Sequence, residues 1–336
     1  MSDRAMELRH GQVRRRLNGR CEGLLEVYRS PSLDRYYLGH QVDFLHRTVR
    51  DFLRTKEMSD FLTTDNTRCG LNTSISRAYI ALIKFVPLQR AHFEDGGILS
   101  KMLMDAFHFL RQAELESGQP QIELLEDLHD NLRNFAAASG RKIPWYRKCY
   151  DPSYHTNENS NPACGSFLEF CIQKGLALYV KEKLSSGIRS LWITTGLLDC
   201  ALRMCPNHTA GQPDLTDVVR VLLNQGFDPN QTIADSTVWG YFLHTYALKL
   251  ECSRDSEDIR TLALHHHHLI ELLLSRGADP NVVGPELDVD GTEPIWGRLL
   301  FAFPRQNLSR HTASIYHNTI EVFLNAIASP NLRNRH

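Results

Sequence analysis

The chain has 336 residues and a formal net charge of −1, with 42% hydrophobic and 23% charged residues. That length accommodates two domains with cores of ordinary size, and the neutral balance excludes a global attraction to nucleic acid or to an anionic membrane. No apolar run approaches the ~20 residues that a membrane-spanning helix needs.

Six arginines fall in the first 20 residues. Asp3 and Glu7 interrupt them, and no apolar core follows, so the pattern is not that of a secretory signal. The eight cysteines are scattered without paired spacings, which fits reduced thiols in a cytoplasmic protein that uses them as small apolar residues. Gly23 to Tyr28 reads as a short strand, Ser30-Pro31-Ser32 as a turn, and Gln41 to Leu45 as a returning strand. The period then changes. Val49, Phe52 and Leu53 share one face, with Arg47, Arg50, Asp51 and Arg54 opposite, so a helix begins near His46 or Arg47.

A hairpin running into an amphipathic helix is one end of a winged-helix-like module. The stretch 15–27 and the phrase His46-Arg47-Thr48-Val49-Arg50-Asp51-Phe52-Leu53 resemble the segment that follows the NACHT module in NLR-like NTPases of filamentous fungi. The resemblance covers roughly residues 12–135 and is strongest at 14–55. It implies a domain without assigned chemistry, often followed by repeats, in a protein that couples nucleotide state to recognition of a partner.

Polar residues 56–73 predict a loop, and helices are expected at roughly 74–86, 97–116 and 121–138. Pro87, Gly96-Gly97 and Gly118-Gln119-Pro120 separate them. Glu123, Glu126, Asp127 and Asp130 read as a solvated face. Asp151 to Cys164, rich in Pro, Ser, Asn and Thr, reads as a linker between a domain at 1–150 and a second at 165–336.

The second half opens with helices near 166–174 and 176–185. It then carries three related stretches. Val218 to Asn230, Leu269 to Asn281 and Thr319 to Asn331 each join an apolar helical stripe to a turn, with Pro-Asn pairs 51 and then 50 residues apart. Gly226 and Gly277 stand where a helix leaves through a left-handed cap. Asp228-Pro229-Asn230 and Asp279-Pro280-Asn281 then turn the chain away. At Ile327-Ala328 that Gly is missing, so the last copy is degenerate or terminal. These turns resemble the end of an ankyrin repeat. Thr195-Gly196-Leu197-Leu198-Asp199-Cys200-Ala201 is similar to the opening of one, with its Pro and His lost. The 50-residue period exceeds that family's usual repeat, and the extra residues are expected in polar connections at 206–213, 253–258 and 304–311.

Both later units carry Trp-Gly on the first helix, at Trp239-Gly240 and Trp296-Gly297. The two tryptophans either offer an aromatic pair to a partner or fill space between neighbouring helices. Asp288 and Asp290, with Gly291, resemble the start of a calcium loop, but its later ligands are missing and a hairpin turn explains them. Together with Trp239 and Trp296 they are the candidate partner-binding residues.

No phosphate-binding Gly-x-x-x-x-Gly-Lys-Ser/Thr, Gly-x-Gly-x-x-Gly, Gly-x-Ser-x-Gly or His-Glu-x-x-His occurs. Cys200, Cys205 and His208 have no evident fourth ligand for zinc. His265 to His268 spread around a helix, only 265 and 268 sharing a side, so no built metal site and no cofactor is expected. The expected architecture is mainly α. A small winged-helix-like hairpin and helical domain lead into a short ankyrin-type α-solenoid, whose function is non-catalytic protein–protein interaction without membrane or nucleic-acid partners. Two alternatives remain: a piece of a NACHT-type NTPase whose nucleotide-binding half is missing, and a metal- or nucleic-acid-binding module built on the histidines and the N-terminal arginines.

Overall fold

In a computed structural model of the chain the described residues are 3–21, 24–29, 40–53, 55–57, 70–84, 98–139, 167–186, 196–204, 214–233, 236–252, 256–283, 295–302 and 310–328. The fold is mainly helical with two small antiparallel sheets. Helix α1 (Asp3–Cys21) comes first, then β1 (Leu25–Arg29) and β2 (His40–Phe44), which pair with Val27 opposite Val42, then α2 (Arg47–Leu53). The hairpin and the helix after it lie where residue alternation predicts them. Helix α1 was not foreseen, because Gly11, Gly19 and a row of arginines leave it only a sparse apolar stripe. It packs on β1. None of the residues whose burial is described between 7 and 57 is buried, and Leu8, Leu45 and Phe52 are about three-fifths exposed (61%, 58% and 58%).

Three longer helices follow, α3 (Leu71–Lys84), α4 (Ile98–Ser117) and α5 (Ile122–Ser139), within a few residues of the expected bounds. Leu99, Met102, Leu103, Ala106, Phe107 and Leu110 recur at helical spacing on α4 and are all buried. Helix α3 packs on both α4 and α5.

Helices α6 (Phe167–Gln173), α7 (Ala177–Ser185), α8 (Leu197–Met204), α9 (Thr216–Asn224), α10 (Val238–Cys252), α11 (Ser256–Ser275), α12 (Ile295–Ala302) and α13 (Arg310–Ala328) then alternate between two layers. The first members of each pair touch in order, α6 on α8, α8 on α10 and α10 on α12. The second members do the same, α7 on α9, α9 on α11 and α11 on α13. One continuous apolar core runs from Ile80 to Phe323. It crosses the expected linker at 151–164, itself outside the described residues, because Phe107 of α4 meets Phe170 edge-on at 4.7 Å and His129 of α5 stacks on Phe167 at 4.5 Å.

The turns explain the period. Gly226 and Gly277 both take φ 88°, and no neighbouring atom lies within 4 Å of where a Cβ would stand, so conformation rather than space requires glycine there. Ala278 N–H reaches back to the Leu273 carbonyl at 3.1 Å, as Phe227 N–H does to that of Leu222 at 3.3 Å. Asp228 then accepts Asn230 N–H at 2.8 Å, and Asp279 accepts Asn281 N–H at 3.1 Å. The two turns bond to each other. Asn230 Nδ2 donates to the Gly277 carbonyl at 2.7 Å, and Asp279 N–H donates to Asn230 Oδ1 at 2.8 Å.

One expectation needs correcting. The extra length of the third unit is largely helix, since α10 has 15 residues and α11 has 20. Residues 256–258, expected in a polar connection, begin α11: Ser256-Glu257-Asp258 places acids in a first turn, where the helix dipole favours them. Residues 206–213 and 304–309 lie outside the described residues.

Trp239-Gly240 and Trp296-Gly297 are not equivalent. A Cβ on Gly240 would stand 2.8 Å from Ser236 Oγ and 3.0 Å from Val282 Cγ2, whereas one on Gly297 meets nothing within 4 Å. Gly240→Ala should therefore cost about 1–3 kcal/mol by overpacking. Gly297→Ala should be neutral or stabilise by up to about 1 kcal/mol through helix propensity. Urea unfolding of the two variants separates them, and equal losses would contradict the close approach at Gly240. Asn230→Ala should likewise cost about 1–3 kcal/mol by stranding the Gly277 and Asp279 backbone groups. Asn281→Ala, at an exposed side chain, should stay within about 0.5 kcal/mol by the same measurement.

Candidate functional site

A groove of about 410 Å³ opens where the end of α4, the start of α7 and the side of α9 meet. Its charged lining is balanced: Arg111, Lys181 and Arg220 against Glu114, Asp214 and Asp217, with Leu115, Leu178 and Val221 between them. Helical spacing puts Arg111, Glu114 and Leu115 on one side of the last turns of α4. On α9, Asp217, Arg220, Val221 and Asn224 make the equivalent face, and Asp217 accepts from Arg220 Nη1 at 2.8 Å.

Glu114 is the anchor of this site. It is 3% exposed, and it accepts Leu178 N–H at 3.2 Å and Tyr179 N–H at 3.0 Å, so a carboxylate from α4 caps the start of α7. Burial pushes its carboxyl up to about 7; the backbone N–H groups of Leu178, Tyr179 and Gln121 and the Arg111 charge pull the other way. The Arg111 Nε is buried beside it with no hydrogen-bond partner among the described residues. A second link runs parallel. Glu126 of α5 accepts from Tyr179 Oη at 2.7 Å and pairs with Lys183 at 2.6 Å. Burial raises the Glu126 carboxyl, but those two hydrogen bonds and the Lys183 charge outweigh it and hold it below its usual value. The acids of α5 are thus not all a solvated face: Glu126 joins the two halves, and Asp127 bonds Lys84 at 2.7 Å.

The sequence-predicted partner residues fare differently. Trp239 is 0% exposed, stacks on Phe242 at 5.8 Å and on Phe323 at 6.1 Å, and donates its Nε1–H to the Asp279 carbonyl at 2.9 Å. It is therefore not available to a partner; a ring that size packs where two turns must be joined. Trp296 is half-buried against the core, and its Nε1 has no partner among the described residues. Asp288 and Asp290 lie outside the described residues. Cys200 is buried and accepts from Gln173 Nε2 at 3.4 Å, which makes it a packing residue, while Cys205 and His208 are not described. Burial lifts the Cys171 thiol well above its ordinary value and leaves it without thiolate character.

The histidine run points four ways. His265 Nδ1 lies 3.3 Å from Asp214, at the start of α9. His266 is fully buried and stacks flat on Tyr246 at 4.2 Å. His267 Nδ1 meets Thr319 Oγ1 of α13 at 3.0 Å, and burial lowers its pKa, helped by His268 and opposed by Glu271. His268 is exposed. Pairing 265 with 268 by helical spacing was misleading. The group that gathers is His267, His268 and Glu271, whose ligand atoms all lie within 4.8 Å of one another. Adjacent imidazoles reach around the helix further than Cβ positions suggest, and an acid four residues after the first completes the set. The His-His-x-x-Glu spacing was the signal available.

Compared with known proteins, residues 1–93 match a family model described as a domain of unknown function (DUF7791). That stretch holds α1, the hairpin, α2 and α3, and stops short of the groove. No curated protein and no solved structure matches the chain. Among the described residues no helix is long and apolar enough to cross a membrane.

The raised Glu114 carboxyl makes a signed prediction. In the unfolded chain it releases its proton near 4.5, whereas the native state keeps it until about 7. Stability from this group is thus complete below the unfolded value and declines as pH rises through the native one. Thermal unfolding of Glu114→Gln should lack this component of the slope between about pH 4.5 and pH 7. Identical slopes in the two proteins would refute the assignment.

Proposed function

We propose that the chain is a non-catalytic protein–protein interaction module, a short α-solenoid of divergent ankyrin-type units, and that the groove between α4, α7 and α9 receives a polypeptide segment. The observation that carries this reading is the groove's lining. Charges of both signs flank apolar side chains, and Leu115 stands 59% exposed at its edge. Such a surface suits an amphipathic segment with one apolar anchor and charged flanks. Stacked helix pairs support it further, because two-layer arrays of this kind present extended faces built from successive second helices.

The finer reading is that the chain acts as the sensor part of a fungal NACHT-type signalling protein in the cytoplasm. It rests on the resemblance at 14–55 and on the turns at 226–230 and 277–281. In that reading the chain recognises a partner, and nucleotide chemistry belongs to a module whose phosphate-binding loop is not in this sequence. The purified chain should then hydrolyse ATP and GTP no faster than buffer.

The groove is tested by quantitative co-purification of the tagged full chain. Leu115→Asp combined with Lys181→Glu should lose the specific partners, while Leu324→Asp, at an exposed position on α13, should retain them. A partner set that is the same for all three proteins would sink this binding face.

A further inference from the structure

We propose that His267, His268 and Glu271 bind a divalent transition-metal ion of the zinc type on the solvent side of α11, where it packs against α13. Each residue offers one ligand atom, and the three atoms lie within 4.8 Å of one another. Tetrahedral zinc with bonds of ~2.0–2.1 Å holds its ligand atoms ~3.4 Å apart, so the exposed His268 and Glu271 side chains rotate inward to close the set. Two imidazoles and a carboxylate are a donor set that suits zinc, nickel and copper rather than calcium or magnesium. His268 and Glu271 are exposed and His267 is half-buried, so an ion can enter from solvent and keep water at its remaining position.

The feature that separates this group from a chance meeting of surface side chains is the support behind His267. Thr319 is 2% exposed and donates its own hydroxyl proton to the Ile315 carbonyl at 2.9 Å. Its oxygen is therefore the acceptor toward His267, 3.0 Å away, and the proton sits on His267 Nδ1. That fixes the tautomer and leaves the Nε2 lone pair for a metal, the role that outer partners play for metal-binding histidines. The other two histidines of the run are engaged elsewhere, His265 with Asp214 and His266 within the aromatic stack. Since Thr319 belongs to α13, an ion on this site also tightens the packing of the last two long helices.

The test uses the full chain without a polyhistidine tag, stripped with chelator and titrated with Zn²⁺ by calorimetry, alongside thermal unfolding. A saturable zinc site of micromolar affinity that raises the melting temperature is expected. His268→Ala and Glu271→Gln, both at exposed positions that leave the metal-free melting temperature unchanged, should each weaken it by about tenfold or more. Thr319→Val should weaken it by about tenfold with all three ligands present. No saturable binding would overturn the proposal. So would zinc affinity unchanged in His268→Ala and Glu271→Gln, which would mean an adventitious ion held by other histidines. Unchanged affinity in Thr319→Val alone would overturn the orientation of His267 by α13.

Discussion

The bond between consecutive turns is the constraint on which the rest of the helical array depends. Asn230 presents its amide to both faces of the next turn, donating to Gly277 and accepting from Asp279. Trp239 adds its Nε1–H to the Asp279 carbonyl from the first helix of the same unit. Two hydrogen bonds thus place one turn on the other, and a third ties α10 to the second turn, before any apolar contact is counted. Pro229 O and Gln231 O take the N–H groups of Trp239 and Val238, so the same turn also starts α10. With the turns fixed, α9 and α11 must lie side by side, and the stripes Val218-Val219-Leu222-Leu223 and Leu269-Ile270-Leu273-Leu274 close the core. A buried backbone group without a partner costs roughly as much as a lost hydrogen bond, which is why the geometry is specific and not merely compact.

The same logic appears where α4 and α5 meet the first pair. A helix start leaves N–H groups without partners, and at α7 two of them are satisfied by Glu114, 64 and 65 residues earlier in the chain. A carboxyl buried for that purpose resists ionising, and its raised pKa is the cost of the joint. Glu126 does similar work with Tyr179 and Lys183 but keeps more solvent and stays ionised more readily. Polar links of this kind make the groove beside them a fixed shape. The charges that line it are therefore partly structural, while Leu115 and Lys181 stay exposed at its edge.

In the histidine run, four consecutive residues of one type take four roles because a helix turns about 100° per residue. One pairs with an acid on α9, one fills an aromatic stack, one is held by α13, and one stays in solvent. Composition alone suggests a metal tract. Side-chain positions, not helical spacing, gather two histidines and an acid on the next turn, and the neighbouring helix engages one ring nitrogen of His267.

By itself the sequence determined what is local. Helical periodicity located α3 to α7 and the stripes of α9, α11 and α13, alternation located the hairpin, and the positive φ at Gly226 and Gly277 follows from a Gly two residues ahead of Asp-Pro-Asn. Each of these depends on residues within a few positions of one another. What only the tertiary structure decided depends on residues far apart in the chain. Trp239 and Trp296 have the same local signature, yet one is sealed by Asp279 and Phe323 and the other is half-open. Glu114 looks like a surface acid until α7 covers it, and Glu126 until Tyr179 and Lys183 of α7 pair with it. His267 is one of four until Thr319, 52 residues later, orients it. Side-chain role is set by desolvation and by a distant partner, and neither is written in the spacing of neighbouring residues.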